Sequence, residues 1–275
     1  MLIVGYDCGL IELVHTDERS IVGSYKFEEP ILGVCGNRIN ESIIVFSLLK
    51  ADKITCMQFD GREWVSRWSN SCKTAVSFAK PLLVNNGTVI VYVSSGQHKL
   101  AFAKTIDGSV EREVDISSVS GARGMVTDLR SFAKLIVVLL ESGVVVIMNE
   151  EGCVKESIQV VFPIDPMNES IIPTGVSFAS DGTVVVGFSS GDVQSVDGFV
   201  KYMTAHGGVG CICDVPKVGK QVIGTWKGKL HIHSSDTVSH IPSPHACSVS
   251  QISANREGSY LAVGSADGRV SVWNL

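Results

Sequence analysis

Short runs of β-branched and aliphatic residues, separated by turn residues, recur along the whole chain. The last of them, SYLAVGSADGRVSVWNL at positions 259–275, places one such run on each side of Asp267 and Gly268. Valine packs well on a half-buried pleated face, and glycine tolerates the positive φ of a tight turn. The pattern therefore predicts a β-hairpin whose second strand ends at Trp273.

This hairpin pattern occurs seven times, and its spacing predicts the fold. Successive turns are 43, 44, 47, 48, 37 and 40 residues apart, close to the ~40–45-residue period of four-stranded propeller blades. Such units bury their faces by packing against one another around an axis. We therefore predict an all-β fold, a seven-bladed β-propeller of four-stranded antiparallel blades that forms a single domain over residues 1–275. The predicted turns lie at Gly9, Asp52, Gly96, Gly143, Gly191, Gly228 and Gly268.

Composition and charge narrow the class of protein. The chain is 45% hydrophobic and has a net charge of −5, so nucleic acid is not expected as its main ligand, because phosphate-backbone binding needs clustered lysine and arginine. No apolar run approaches the ~18–20 residues of a membrane span. The N-terminus has no basic region before its apolar residues, which is unlike a signal peptide. These features predict an intracellular protein, cytoplasmic or nuclear.

The last two blades resemble those of the WD-repeat β-propeller family. Trp273-Asn274 stands where that family prefers Trp-Asp, and His245 lies 23 residues before Gly268, matching the histidine of the family's Gly-His step. His206 has the same place in blade six. The whole chain is similar to the family in its period, and the last blade is similar in its residues, so the chain resembles a diverged member.

The resemblance implies that His245, Asp267 and Trp273 are structural residues. In the family, these residues and a serine or threonine on the second strand form a buried hydrogen-bond network. Val263 stands where the hydroxyl is expected, and in blade six Lys227 replaces the aspartate. We therefore expect an incomplete network and blades that rely on apolar packing.

The two ends of the chain predict incomplete blades. Only eight residues precede Gly9 and seven follow Gly268, so the first blade should lack its innermost strand and the last blade its outermost one. We expect an open seam with unpaired edges at residues 2–6 and 269–274, where a partner protein donates one or more strands. The chain would then resemble the scaffold propellers of vesicle coats and nuclear pores. The alternatives are three-stranded end blades packed face to face, or a start codon further upstream.

Catalytic, metal and cofactor sites are not predicted. The chain contains neither a G-x-S-x-G elbow nor a phosphate-binding G-x-x-x-x-G-K-[ST] loop. Strand alternation could bring His231 and His233 near His240 to hold zinc. Ordinary polar residues on an outer blade face are the favoured interpretation. The eight cysteines, which include no C-x-x-C pair, are expected to be mostly small buried apolar residues.

Trp226 is the most informative candidate for partner binding. Aligning VIGTWKGKL with AVGSADGRV places it at the tip of a turn, where WD-repeat proteins usually bind partners, and tryptophan is frequent among binding hot spots. We expect a non-catalytic protein-interaction scaffold within a larger complex. A reader of peptides or modified tails, and with less support a propeller enzyme, are the alternatives. The candidate partner-binding residues are Trp226, Lys227, Tyr6, Asp7, Glu28, Glu29, Arg123, His206 and Arg269.

Overall fold

The computed structural model describes all residues except 51, 73–76, 95, 97, 164–169, 180, 199, 204–206, 235–237, 242–244 and 256. The described residues form seven antiparallel sheets, the blades of a seven-bladed β-propeller, and this confirms the predicted fold class. They group into two compact units, Met1–Ile136 with Met148–Cys153 and Val137–Ile147 with Val154–Leu275. The single domain over residues 1–275 stays a prediction.

The first unit contains the first three blades, in which strands adjacent in sequence pair antiparallel. Blade one consists of β1 (Leu2–Gly5), β2 (Leu10–His15) and β3 (Ser20–Lys26). Blade two consists of β4 (Ile31–Ile39), β5 (Ser42–Leu49), β6 (Lys53–Phe59) and β7 (Trp64–Ser71). Blade three consists of β8 (Leu82–Val84), β9 (Val89–Val93), β10 (Lys99–Lys104) and β11 (Val110–Asp115).

Blade four contributes residues to both units, and the second unit adds the last three blades. Blade four consists of β12 (Val126–Phe132), β13 (Leu135–Leu140), β14 (Val144–Asn149) and β15 (Val154–Gln159). Blade five consists of β16 (Pro173–Phe178), β17 (Val184–Phe188), β18 (Asp192–Ser195) and β19 (Val200–Met203). Blade six consists of β20 (Val209–Val215), β21 (Lys220–Thr225), β22 (Leu230–His233) and β23 (Val238–Ile241). Blade seven consists of β24 (Val249–Ala254), β25 (Tyr260–Ser265) and β26 (Val270–Asn274).

All seven predicted turn positions have a positive φ and lie between paired strands. Six are glycines, for which this conformation costs little because they have no Cβ. In blade two Asp52 takes the position with a φ of 54°, a conformation that aspartate tolerates better than most residues. The predicted turns are therefore confirmed, and they set the register of each hairpin.

The first and last blades have three strands each, as predicted. In the complete blades the positive-φ turn follows the second strand, whereas the turn at Gly9 follows the first strand of its sheet. Blade one therefore lacks the strand that opens a complete blade. In blade seven the turn at Gly268 follows the second strand, so the strand missing there is the fourth.

Apolar side chains on alternate strand positions form the core between neighbouring blades. In the first unit, Ile11 and Leu13 of β2 are buried in one cluster with Val45, Met57 and Phe59 of blade two. Residues two apart on a strand point to the same face, and burying each large apolar side chain contributes roughly 1.5–3 kcal/mol. This interlocking of faces holds successive blades together.

Glycines let the blades of the second unit approach closely. A Cβ added at Gly187 would lie 2.5 Å from Cγ1 of Val209 in the next blade, and one added at Gly224 would lie 2.4 Å from Cγ1 of Val249. A larger residue at either glycine would therefore push a valine of the next blade out of place. The same pairing of glycine and valine recurs at two successive blade contacts.

The first described strand of blade three is short. The predicted start, Thr74, lies outside the described residues, and the first described strand begins at Leu82. Pro81 precedes it and has no N–H with which to extend a strand ladder. A 3₁₀ turn, Asn85–Gly87, follows directly and shortens the strand to three residues.

The cysteines are less uniformly buried than expected. Cys56, Cys72 and Cys211 are buried, and burial raises the pKa of Cys56 and of Cys72 to about 12. Cys35 and Cys213 are partly buried. The exposed thiols, which the prediction did not anticipate, are Cys8, Cys153 and Cys247.

Candidate partner-binding surface

The predicted partner-binding residues divide between the two units. His206 lies outside the described residues. The other residues form two sets, one in each unit. The first unit carries Tyr6, Asp7, Glu28, Glu29 and Arg123, and the second carries Trp226, Lys227 and Arg269.

In the first unit, the turn between β1 and β2 packs against the connection that follows β3. A Cβ added at Gly9 would lie 2.7 Å from the backbone oxygen of Glu29. This contact brings Tyr6 and Asp7 close to Glu28 and Glu29, and Asp7 and Glu28 are exposed. The structure thus joins four of the predicted residues into one acidic end of blade one.

Several side chains of this acidic end already have partners within the unit. The Tyr6 hydroxyl donates to Oε2 of Glu12 at 2.8 Å, and burial together with that hydrogen bond raises the pKa of Tyr6 to about 12. Glu29 forms an ion pair of 3.2 Å with Lys53. Arg123 is exposed three residues before β12, apart from the residues of blade one along the chain. Tyr6 and Glu29 are therefore less available for a new partner than Asp7 and Glu28, which are exposed.

In the second unit, Trp226 lies over a glycine-rich stretch of backbone. The backbone N–H of Trp226 donates to the carbonyl oxygen of Gly208 at 2.8 Å. A Cβ added at Gly208 would lie 2.7 Å from Cε3 of the indole, and one added at Gly210 would lie 3.4 Å from Cδ1. The side chain nevertheless remains 47% exposed. The glycines support one side of the indole while the other side faces solvent.

Lys227 follows this indole in the chain, and Arg269 lies at the turn tip of the next blade. The stem of Lys227 lies over Gly207, where an added Cβ would be 3.3 Å from Cγ of the lysine. Arg269, at the next turn tip along the chain, is largely exposed and lies 3.8 Å from Asp267. The turn that carries Lys227 packs on the connection before β24, because a Cβ added at Gly228 would lie 2.5 Å from the carbonyl oxygen of His245. We call the exposed parts of Trp226, Lys227 and Arg269 the tryptophan surface.

His245 and Trp273 are linked through a hydroxyl that the sequence comparison did not identify. Nε2 of His245 lies 2.8 Å from Oγ of Ser271, and Nε1–H of Trp273 donates to the same oxygen at 2.8 Å. Burial lowers the pKa of His245, which favours the neutral ring. Val263, where the family hydroxyl was expected, lies in the apolar core. Ser271 therefore supplies the hydroxyl from the third strand.

Asp267 is held within its turn by two hydrogen bonds. The Ser265 hydroxyl donates to Oδ1 of Asp267, and the Arg269 N–H donates to the same oxygen at 3.2 Å. The Ser265 hydrogen bond is the main cause that lowers the pKa of Asp267. The aspartate thus stabilises the tip on which Arg269 stands.

A row of polar residues crosses blade six on one face. Asp214, Gln221 and His233 are cross-strand neighbours on β20, β21 and β22. Tyr202 of blade five covers them, since its ring stacks on His233 with centroids 3.6 Å apart and its hydroxyl donates to Gln221. Burial raises the pKa of Asp214 to about 6. Burial is also the main cause that lowers the pKa of His233 to about 4.

This row corrects the expectation that His231 and His233 lie on a polar outer face. Both are buried, with exposures of 2% and 7%. The ring of His240 lies 4.6 Å from that of His231, edge to face. The sequence could not show this burial, because Tyr202 reaches the row from a neighbouring blade.

Within the described part of the chain, no three histidine, cysteine or acidic side chains are grouped so that they could hold a metal ion. No helix among the described residues is long and apolar enough to cross a membrane. No protein-family model matches the chain, and no curated protein shows significant similarity to it.

Proposed function

We propose that this chain is a non-catalytic protein-interaction scaffold of the WD-repeat type. It acts within an intracellular multiprotein complex, in the cytoplasm or the nucleus. The tryptophan surface is the observation that carries the proposal, because a large aromatic side chain that is held in place and left half exposed is typical of binding hot spots. The repeat period and the link between His245 and Trp273 support the WD-repeat type.

Replacing Trp226 and Lys227 together by alanine tests this proposal. We expect the melting temperature to change little, because exposed turn residues contribute little to folding. Capture of the main partner from native extract, measured by quantitative mass spectrometry, should fall at least tenfold, the loss expected from removing a hot spot of about 1.4 kcal/mol or more.

Val218 and Lys217 provide a matched control in the same blade. They form an exposed apolar and basic pair at the turn between β20 and β21, at the other end of the hairpin. Their double alanine variant should retain capture. Equal capture by all three proteins would contradict the proposal, and a large loss of melting temperature in the Trp226 variant would show that the indole is mainly structural.

We also propose that a partner donates a strand to the end blades. β1 and β26 are each the last strand of their sheet. In an antiparallel pair, amide groups alternate between the paired and the free edge. Because Tyr6 N–H donates to Leu10, the alternation directs the amides of Ile3 and Gly5 to the free edge of β1. Such free edges are where extended segments add to a sheet.

Hydrogen exchange tests strand donation residue by residue. In the isolated chain, the amides of Ile3 and Gly5 should exchange much faster than the amide of Val4, which points toward β2 and pairs with it. In blade seven the same alternation predicts fast exchange at Val270 and Val272 compared with Ser271. These fast amides should become protected in the complex. Uniform protection in the isolated chain would rule out a free edge.

A further inference from the structure

The tryptophan surface and the neighbouring Lys229 are basic, although the protein as a whole has a net charge of −5. Lys227 and Lys229 are exposed, and neither forms an ion pair within the described residues. In the part of the chain that the structure describes, the ion-pair contact of Arg269 is the one of 3.8 Å with Asp267, and its side chain is 69% exposed. The three cations therefore exceed the single nearby carboxylate at these two turn tips.

The apolar part of the surface is small and well defined. The indole of Trp226 lies on backbone at Gly208 and Gly210, where there is no side chain to cover it. The backbone hydrogen bond to Gly208 fixes the position of the turn that carries it. An aromatic side chain held in this way loses little freedom on binding. It is suited to contact one apolar side chain of a ligand rather than a broad apolar face.

We infer that the tryptophan surface binds an acidic peptide segment of a partner protein, with one aliphatic or aromatic side chain on Trp226 and carboxylates beside Lys227 and Arg269. This inference rests on the proposed scaffold function and adds the chemistry of the partner. Opposite charges around an apolar anchor give orientation and a fast encounter. Three cations are few for a nucleic acid, whose binding depends on many phosphate contacts.

A random-peptide phage library selected against the full chain tests the inference and does not require the partner itself. We expect enriched peptides to combine aspartate or glutamate with one leucine, isoleucine, phenylalanine or tryptophan. A fluorescein-labelled synthetic peptide of the enriched sequence is then measured by fluorescence anisotropy. Its Kd should rise at least tenfold with Trp226→Ala and with Lys227→Glu, and should rise several-fold between 50 mM and 200 mM salt, because the surface charges are screened.

Lys217→Glu is the matched control, since it reverses the charge of an exposed lysine at the other end of the same blade, and it should leave the Kd unchanged.

No enrichment, enriched peptides without acidic residues, or a Kd insensitive to Trp226→Ala would each overturn the inference. Displacement of the peptide by a single-stranded oligonucleotide at equal concentration would also overturn it in favour of nucleic acid. If partner capture depends on Trp226 while the enriched peptides are not acidic, the inference alone fails. If neither depends on Trp226, the proposed function fails as well.

Discussion

Replacing Gly228 by alanine is expected to lower the free energy of unfolding by about 3 kcal/mol. The residue has a φ of 74°, a conformation that costs a non-glycine residue about 1 kcal/mol or more. An added Cβ would also lie 2.5 Å from the carbonyl oxygen of His245 and 2.6 Å from that of Cys247. Both contacts are with backbone, so relief requires the chain to move, and overpacking of this kind typically costs about 1–3 kcal/mol.

Gly268→Ala separates the two causes, because Gly268 has nearly the same φ, 78°, and no atom within 4 Å of an added Cβ. The Gly268 variant should lose only the part of the free energy of unfolding that depends on the positive φ, about 1 kcal/mol. Urea denaturation of both variants and the parent gives the comparison. Equal losses would mean that the close approach of the added Cβ to the backbone of His245 and Cys247 costs no stability.

Replacing Trp273 by alanine should destabilise the protein by about 3 kcal/mol, at the lower end of what removal of a buried tryptophan costs. The indole packs against the apolar cluster between blades six and seven, and it is only partly buried. Its removal also deprives Ser271 of the Nε1–H donor that helps to hold this hydroxyl beside His245.

Trp226→Ala serves as the comparison for Trp273→Ala, because it removes the same side chain from an exposed turn tip and should shift the urea midpoint by little. The expected order is therefore a large loss at Trp273 and a small one at Trp226. A Trp273 variant as stable as the parent would show that the indole contributes little to the core of blade seven.

The blade arrangement could be predicted from the sequence because each turn has a local signature. Gly143, Gly191 and Gly268 each follow a mainly apolar strand, and glycine is the residue that the positive φ of these turns favours. Counting residues before Gly9 and after Gly268 also predicted the two three-stranded blades correctly. The predicted start of blade three, Thr74, lies outside the described residues, and the first described strand of that blade has only three residues, which carry too little pattern to locate.

The features of the candidate surface that depend on tertiary contacts could not be predicted in this way. The exposed position of Trp226 followed from aligning two turns, but its support by Gly208 and Gly210 depends on the pairing of β20 with β21. Ser271 and His245 are 26 residues apart, and their contact depends on side-chain direction across blade seven. A sequence pattern specifies which face a residue occupies, and not which side chain meets it there.

The polar row of blade six has a consequence for proton linkage. The folded-state pKa of Asp214, about 6, exceeds its ordinary value of 3.8, so the folded chain binds this proton more tightly than the unfolded chain, and stability falls as the pH rises from about 4 to about 6. The pKa of His233 is lowered from 6.5 to about 4, so here the unfolded chain binds the proton more tightly, and stability increases as the pH rises from about 4 to about 6.5.

The two contributions oppose each other over the same pH interval. Other titratable groups face Asp214 and His233. The pKa of Tyr202 is raised by burial and by Asp214. His240 helps to lower the pKa of His233, and Asp181 helps to raise the pKa of Asp214. As the pH falls, Asp214 reaches its neutral form while His233 stays uncharged down to about pH 4. The total number of protons bound by Asp214 and His233 therefore changes little when blade six unfolds. As a result, mild acid leaves the net contribution of these two residues to stability almost constant.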